Sequence, residues 1–171
     1  MKLNKLVIAL GMVMVAGAAN AADQGHGTIT FQGSIIDSPC SITAETANQT
    51  VDLGQVSSTA LNNGQTSSPK AFFIQLEQCD TASMKEVSTT FTGAADATNA
   101  KMLGITGSAK GAGIVITDGS GTPVELGTAS KAQTIGDGSN KLSFSAYLQS
   151  NGASVTAGDF SSTADFTLAY Q

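Results

Sequence analysis

The C-terminal stretch Ala164-Asp165-Phe166-Thr167-Leu168-Ala169-Tyr170 places larger apolar side chains at every second position. A period of two residues is typical of a β-strand with one buried face. That face would carry Ala164, Phe166, Leu168 and Tyr170. Because the pattern runs almost to the last residue, we expect a strand with an edge that must be covered.

The same period recurs along the chain and predicts an all-β fold. Apolar positions alternate in residues 28–35, 51–53, 71–79, 87–91 and 142–148, and a short apolar run suited to a strand buried on both faces occupies residues 113–117. Asn-Gly and Asp-Gly turn signals separate these segments, at residues 62–64, 118–121, 137–138 and 151–152. Strands separated by such turns indicate a sandwich of immunoglobulin-like size. Residues 94–100 form the one weakly helix-like patch.

The composition agrees with this fold class and disfavours several functions. A chain of 171 residues suits one domain, and its 19 Gly with only 5% aromatic residues favour short strands and turns over a helical bundle. The chain has eight Lys, no Arg and a net charge of −5. Nucleic-acid binding requires a basic surface, so we expect no nucleic-acid partner.

The first 21 residues have the pattern of a secretory signal peptide. Lys2 and Lys5 flank the start of the apolar run of residues 6–19, and Ala19-Asn20-Ala21 fits a cleavage site. The alternative is a membrane anchor, but a spanning helix needs about 20 apolar residues. We expect cleavage after Ala21 or after Ala22, and export of the remaining chain.

Export favours a disulfide between the two cysteines. Cys40 and Cys79 are the only Cys residues of the chain, and they would share an oxidising compartment. The bridge would close a loop of about 40 residues and stabilise the fold by roughly 4 kcal/mol in the chain-entropy model. Two buried free thiols are the alternative.

Residues that usually carry catalysis or metal binding are scarce. His26 is the only His and lies in a Gly-flanked segment near the start of the exported chain, whereas a catalytic His must be packed and oriented. A zinc site needs about four His or Cys ligands, and the chain has one His and two Cys. The stretch Asp118-Gly119-Ser120-Gly121 is more typical of a hairpin turn than of a calcium loop. We expect no enzyme, and hence no catalytic residue, no metal site and no cofactor.

The N-terminal part of the exported chain is a strand-like segment without an evident partner. Gly27, Ile29, Phe31 and Gly33 share one face if the segment is extended. The N-terminal segment is a strand without a partner, and the C-terminal strand has an edge that must be covered. One arrangement satisfies both, in which the N-terminal segment of one molecule completes the sheet of another. A disordered leader is the alternative, but the alternation argues against it.

Several stretches in this order resemble the structural pilins of chaperone–usher pili, notably the major subunits of type 1, P and mannose-resistant Proteus-like fimbriae. The resemblance covers the whole chain, and the order and spacing of its motifs are more specific than any one motif. The motifs are Gly27-Thr28-Ile29-Thr30-Phe31-Gln32-Gly33, Ile36-Asp37-Ser38-Pro39-Cys40-Ser41-Ile42, Val51-Asp52-Leu53-Gly54-Gln55-Val56 and Phe73-Ile74-Gln75-Leu76-Glu77-Gln78-Cys79-Asp80, followed by Gly158, fourteenth from the C-terminus, and Tyr170.

The resemblance implies a fold and a set of site residues. The family fold is an incomplete immunoglobulin-like sandwich that lacks its final strand, with a bridge matching Cys40 and Cys79. Residues 22–33 would form a donor-strand extension, and residues 34–171 the pilin domain. The donor strand would use Gly27, Ile29, Phe31 and Gly33, and the C-terminal strand facing the chaperone and usher would use Gly158, Ala164, Phe166, Leu168 and Tyr170.

The resemblance also implies partners and a location. A periplasmic pilus chaperone would lend a strand to the open sandwich, and at the outer-membrane usher the extension of the next subunit would replace it. The partners would be identical subunits arranged head-to-tail, together with minor tip pilins. The chain would be exported through the periplasm to the cell surface and become part of a fimbrium.

Several functions within and beyond this class stay open at this point. The leading hypothesis is a major pilin that polymerises into the rod of an adhesive fimbria. A minor adaptor or terminator pilin is the alternative. A tip adhesin would need a separate lectin domain, for which about 150 exported residues leave no room. An exported enzyme lacks support from the residues.

Overall fold

The computed structural model describes residues 26–33, 35, 38–63 and 65–171. The chain divides into a short N-terminal unit, Met1–Ile35, and a larger unit, Ile36–Gln171. The expected signal peptide lies outside the described residues, as do residues 22–25 at the start of the expected donor extension.

The larger unit consists mainly of β-strands. Among the described residues its strands are β1 (Ser41–Ile42), β2 (Lys70–Cys79), β3 (Glu86–Gly93), β4 (Leu103–Gly104), β5 (Thr106–Gly107), β6 (Ala112–Asp118), β7 (Pro123–Val124), β8 (Gln133–Thr134), β9 (Gly138–Ser150), β10 (Phe160–Ser161) and β11 (Ala164–Tyr170). Two short helices, α1 (Ala44–Ala47) and α2 (Ser58–Asn62), lie between β1 and β2.

The strands form antiparallel sheets that face each other across one core. The larger sheet has the order β1-β2-β9-β6-β4, with β7 also paired to β6. The second sheet has the order β11-β3-β8, and a two-strand sheet pairs β10 with β5. This is the all-β sandwich that the alternation predicts.

Aromatic side chains from both sheets meet in the core. Phe91 of β3 lies edge-on to Phe144 of β9, with ring centroids 5.1 Å apart, and 6.1 Å from Phe72 of β2. Such edge-to-face pairs contribute about 0.5–1.5 kcal/mol beyond the area that they bury. The inward faces predicted for residues 71–79, 87–91 and 142–148 all belong to this core.

The predicted strands are confirmed with two differences. Residues 51–53 belong to no strand, and residues 28–33 lie in no hydrogen-bonded strand. Both segments have the alternation of a strand, and neither pairs with a strand among the described residues of the chain.

The helix-like interpretation of residues 94–100 is wrong. Asp96 Oδ1 accepts hydrogen bonds from the backbone N–H groups of Thr98 and Asn99, each at 2.9 Å. An Asp side chain that bonds the backbone two and three residues ahead favours a turn, so this patch forms a loop.

Candidate functional site

Strand β11 has one paired edge and one free edge. It pairs with β3 in antiparallel register from Ala164↔Gly93 to Tyr170↔Val87, and no other described strand pairs with it. Every second residue of an edge strand directs its N–H and C=O away from the partner. The free edge of β11 therefore presents a row of main-chain donors and acceptors.

A second free edge runs along residues 48–56. Leu53 is buried and Val51 half-buried, while Asp52 and Gly54 are exposed, which is the alternation predicted from the sequence. Among the described residues, no main-chain hydrogen bond joins this segment to another. It is an extended chain without a strand partner.

Side chains attach the start of this segment to β2. The N–H of Gln75 donates to Thr46 Oγ1 at 3.0 Å, and Gln49 Nε2 donates to the carbonyl oxygens of Thr46 and Phe73, each at 3.0 Å. These bonds follow the last main-chain bond to β2, in which the N–H of Thr43 donates to the carbonyl oxygen of Gln75 at 3.1 Å. Sequence reasoning missed both residues, because a polar side chain gives no local signal of a distant backbone partner.

Two adjoining cavities lie between the free edges, and Thr50 lines both. The larger, of about 760 Å³, separates residues 50–56 from residues 155–162 and is also lined by the apolar side chains of Leu61, Ile105, Ala112, Ile114 and Leu148. The smaller, of about 530 Å³, separates residues 42–50 from residues 163–166. We call the pair of cavities the edge groove, with residues 42–56 as its first bank and residues 155–170 as its second bank.

The C-terminal residues chosen from the sequence lie along the second bank. Ala164 and Phe166 line the smaller cavity. Leu168 and Tyr170 continue the same half-buried face of β11, packed against the core but lining neither cavity. The structure therefore brings these four residues to one face of one edge strand.

The phenol of Tyr170 is buried without a hydrogen-bond partner among the described residues. Burial raises the pKa of this phenol, and the nearby Ser38 side chain partly opposes the rise. Ser38 Oγ itself donates to the carbonyl oxygen of Cys40 at 2.8 Å. The Tyr170 hydroxyl thus stays neutral at physiological pH, at the end of the second bank.

Gly158 lines the larger cavity and has a structural reason to be Gly. A Cβ at this position would lie 2.5 Å from the backbone nitrogen of Ala109 and 2.5 Å from Ser108 Oγ. Any side chain would push the second bank away from residues 108–109. The family resemblance singles out this Gly, and the structure shows the close approach of residues 108–109.

The N-terminal unit exposes the apolar face expected of a donor strand. Ile29 and Phe31 have 78% and 89% of their surface exposed, and Ile35 is also fully exposed. Apart from the glycine itself and its two chain neighbours, no atom lies within 4 Å of a Cβ built on Gly27 or Gly33. Large exposed apolar side chains in one segment are characteristic of an interaction site.

The predicted disulfide is present. Cys40 and Cys79 are bonded, with their Cα atoms 4.1 Å apart and a sequence separation of 39. The bridge joins the chain just before β1 to the last residue of β2. It therefore holds the start of the first bank against the larger sheet.

Charged residues are sparse around the groove. Asp52, Lys110 and Asp159 line the larger cavity. Asp52 Oδ1 accepts from the N–H of Gly54 at 2.8 Å, and Lys110 Nζ donates to the carbonyl oxygen of Gly107 at 3.0 Å. In the part of the chain that the structure describes, no cluster of three or more His, Cys, Asp or Glu residues is arranged to hold a metal ion. No helix within the described ranges is long and apolar enough to cross a bilayer.

Asn62, at the end of α2, was not anticipated from the sequence as part of this site. Its Nδ2 donates to the carbonyl oxygen of Val155 at 3.1 Å, and its Oδ1 accepts from the N–H of Val155 at 2.8 Å. The two residues are 93 positions apart in sequence, so no local pattern indicates the contact. Asn62 thereby connects the helix after the first bank to the start of the second bank.

Known proteins are similar to this chain in sequence and in fold. A family model described as "Fimbrial protein" matches residues 29–171. The chain is 57% identical to the Fimbria A protein of Serratia marcescens and 54% identical to the Major MR/P fimbria protein of Proteus mirabilis, in each case over 100% of both chains. It is similar in structure to the P pilus rod subunit PapA, with a TM-score of 0.70 and 34% identity over 78% of this chain and 100% of that chain. The chain therefore belongs to the fimbrial protein family.

Proposed function

We propose that this chain is the major pilin of an adhesive surface fimbria, and that its copies polymerise into the rod by donor-strand exchange. Residues 22–33 of one copy form the donor strand, and the edge groove of the next copy receives it. The relatives named above are a fimbria protein, a major fimbria protein and a rod subunit, which supports the assignment to a rod.

One observation carries this proposal. The edge groove has unpaired main-chain groups on both banks and buried apolar side chains between them, while Ile29 and Phe31 are exposed. An extended segment laid in the groove would pair with the free edges and bury its alternate side chains. The groove offers unpaired main-chain groups and an apolar lining, and the segment offers an unpaired main chain and exposed apolar side chains.

The energetics favour a stable and open-ended assembly. Burying Ile29 and Phe31 would contribute about 1.5–3 kcal/mol each, in addition to the ladder of main-chain hydrogen bonds. The donor and the groove are different surfaces of the chain, so the contact is head-to-tail and generates a filament. Nothing in this assembly requires a catalytic group or a cofactor.

The same groove explains why the subunit would need partners before assembly. An open edge with apolar lining is prone to nonspecific association. In the proposal a periplasmic chaperone covers the groove by lending a strand against β11, and exchange for the next donor takes place at the outer-membrane usher. Gly158, Ala164, Phe166, Leu168 and Tyr170 belong to the bank that these partners face, and minor tip pilins complete the fimbrium at the cell surface.

A pair of variants tests the donor role. Phe31→Asp places a charge on the apolar face of the donor segment, whereas Thr30→Asp places it on the opposite face. Material sheared from cells is run on a denaturing gel, boiled and unboiled. Wild type and Thr30→Asp are expected to give a ladder of multimers that collapses to monomer on boiling, and Phe31→Asp is expected to give at least tenfold less ladder.

Two results would contradict the proposal. An equal ladder from Phe31→Asp would exclude a buried role for that side chain, and a monomer band in the unboiled wild-type lane would exclude a strand-exchanged polymer. The mass of each protein in the sheared material separates the rod subunit from an adaptor or terminator. A rod subunit is expected to be the main component.

A further inference from the structure

The contact between Asn62 and Val155 resembles one rung of a β-ladder. The side-chain amide of Asn62 bonds both the N–H and the C=O of Val155, at 2.8 and 3.1 Å. Two residues that exchange both main-chain bonds form the hydrogen-bonded pair of an antiparallel sheet. Asn62 supplies the same two bonds from a side chain.

The neighbouring residues show which side of the second bank this contact occupies. Thr156 exchanges main-chain bonds with Lys110, with N···O distances of 3.0 and 3.4 Å. Because consecutive residues of an extended chain point to opposite sides, Val155 directs its main-chain groups away from Lys110 and toward the end of α2, where Asn62 bonds them. Asn62 therefore occupies a groove-side position of the second bank.

The next groove-side residue of the bank is unpaired. No main-chain hydrogen bond to Ala157 occurs among the described residues. Val155 and Ala157 both line the larger cavity. The boundary between a satisfied and an unsatisfied main-chain position thus falls between these two residues.

We propose that Asn62 is a built-in stop that ends the edge groove at Val155 and fixes how far an incoming strand can pair along the second bank. This inference rests on the proposed function, because it assumes that a donor strand enters the groove. A donor strand pairs with Ala157 and with the bank beyond it, but not with Val155, whose groove-side bonds are already made. Asn62 is a positioning residue that sets the register of the donor.

Hydrogen exchange of individual amides tests the stop. The wild-type mature chain is compared as unassembled subunit and as fibre, alongside Asn62→Ala and the matched control Asn63→Ala. In the wild-type subunit we expect the Val155 amide to be protected and the Ala157 amide to be open. On assembly the Ala157 amide is expected to gain at least tenfold protection, while the exchange rate of Val155 stays unchanged.

The variants separate the stop from a general loss of structure. In the Asn62→Ala subunit the Val155 amide is expected to exchange at least tenfold faster, and in its fibre the amide is protected again because the donor takes the vacated position. Asn63→Ala is expected to match wild type. Asn62→Asp keeps the acceptor for the Val155 N–H, so it preserves that protection even if the Ala variant folds poorly.

Different results would overturn different claims. Equal Val155 protection in the wild-type and Asn62→Ala subunits would exclude the Asn62 contact as its source. A Val155 amide that stays open in the Asn62→Ala fibre would show that Asn62 blocks nothing that the donor can use. An Ala157 amide that gains no protection in the wild-type fibre would instead contradict the proposed strand insertion.

Discussion

The carboxylate of Asp96 joins its own loop to the loop that contains Asn151. It accepts hydrogen bonds from two backbone N–H groups, of Thr98 and Asn99, and from Asn151 Nδ2 at 3.0 and 2.9 Å to its two oxygens. Burial acts to raise the pKa of this carboxyl, but the hydrogen bonds outweigh it and hold the pKa below its usual value. The charged form is therefore favoured by folding.

Asp96→Asn is expected to lower the free energy of unfolding by about 1–3 kcal/mol at pH 6, because backbone N–H donors lose a charged acceptor. The sign of the pH dependence follows from the lowered pKa. The stabilisation is complete above the unfolded-state value of about 4 and is lost as the pH falls through the folded-state value. Urea unfolding at pH 6 and pH 3 should therefore show a smaller difference between wild type and Asp96→Asn at pH 3.

Asn151→Ala provides the matched comparison for Asp96. It removes the Nδ2 donor to the carboxylate and the Oδ1 acceptor for the N–H of Ala153, but it leaves the two backbone bonds to Asp96. The part of its loss of stability that disappears at pH 3 should therefore be smaller than for Asp96→Asn. A difference between wild type and Asp96→Asn that is the same at both pH values would contradict this account of the carboxylate.

At the scale of the elements, the first bank depends on few attachments. The Cys40–Cys79 bridge holds its start, and the side chains of Thr46 and Gln49 hold the segment against β2. Beyond Gln49 no described main-chain bond holds it until α2. Ile42 and Thr43, at the start of the bank, also pair with β2 through their main chain, whereas beyond Gln49 the main chain stays available.

The disulfide is expected to carry much of this attachment. Replacing Cys40 and Cys79 together by Ser should lower the free energy of unfolding by about 2–5 kcal/mol, because the unfolded chain gains freedom and the bank loses its anchor. Urea unfolding of the mature subunit measures the change. Ser38→Ala, which keeps the bridge but removes the bonds of Ser38 Oγ to the carbonyl oxygen and the N–H of Cys40, should cost about 1 kcal/mol. Wild-type stability in the double variant would contradict the role of the bridge.

The elements also show which parts of the fold are local in origin. The alternation in β2, β9 and β11 predicts these strands, because an inward-facing residue at every second position is encoded by neighbouring residues. Residues 51–53 and 28–33 have the same pattern but lie in no strand, because pairing also requires a partner. The loop at Asp96 escaped prediction, since a single side chain bonded to the backbone overrides a weak helical preference.

The sequence predicts the apolar faces of the candidate site but not the side-chain contacts that hold it together. The apolar faces of the donor segment and of β11 follow from their sequence period, and the family resemblance indicates how they are used. The contacts of Thr46, Gln49 and Asn62 join positions far apart in the chain, so only the folded structure reveals them. The edge groove lies between two segments, residues 48–56 and β11, that each have an edge without a strand partner among the described residues.

At the scale of the whole molecule, the proposed assembly gives each copy two different ends, the donor segment and the edge groove. A variant without residues 22–33 keeps a groove but has no donor, so it can join a fibre only at one end. Co-expression of this variant with wild type, at equal amounts, is therefore expected to shorten the fibres at least several-fold, as measured by electron microscopy. Thr30→Asp, co-expressed in the same way, should leave fibre length unchanged. Fibres of wild-type length with the truncated variant distributed along them would contradict a head-to-tail contact through residues 22–33.

The central claim is that the N-terminal segment of one copy fills the edge groove of the next, and a structure of the assembled fibre tests it most directly. The account predicts that the segment with Ile29 and Phe31 lies between residues 50–56 and residues 157–166 of a neighbouring copy, with both side chains buried. A fibre in which the groove is empty, or is filled by a segment of the same copy, would contradict it.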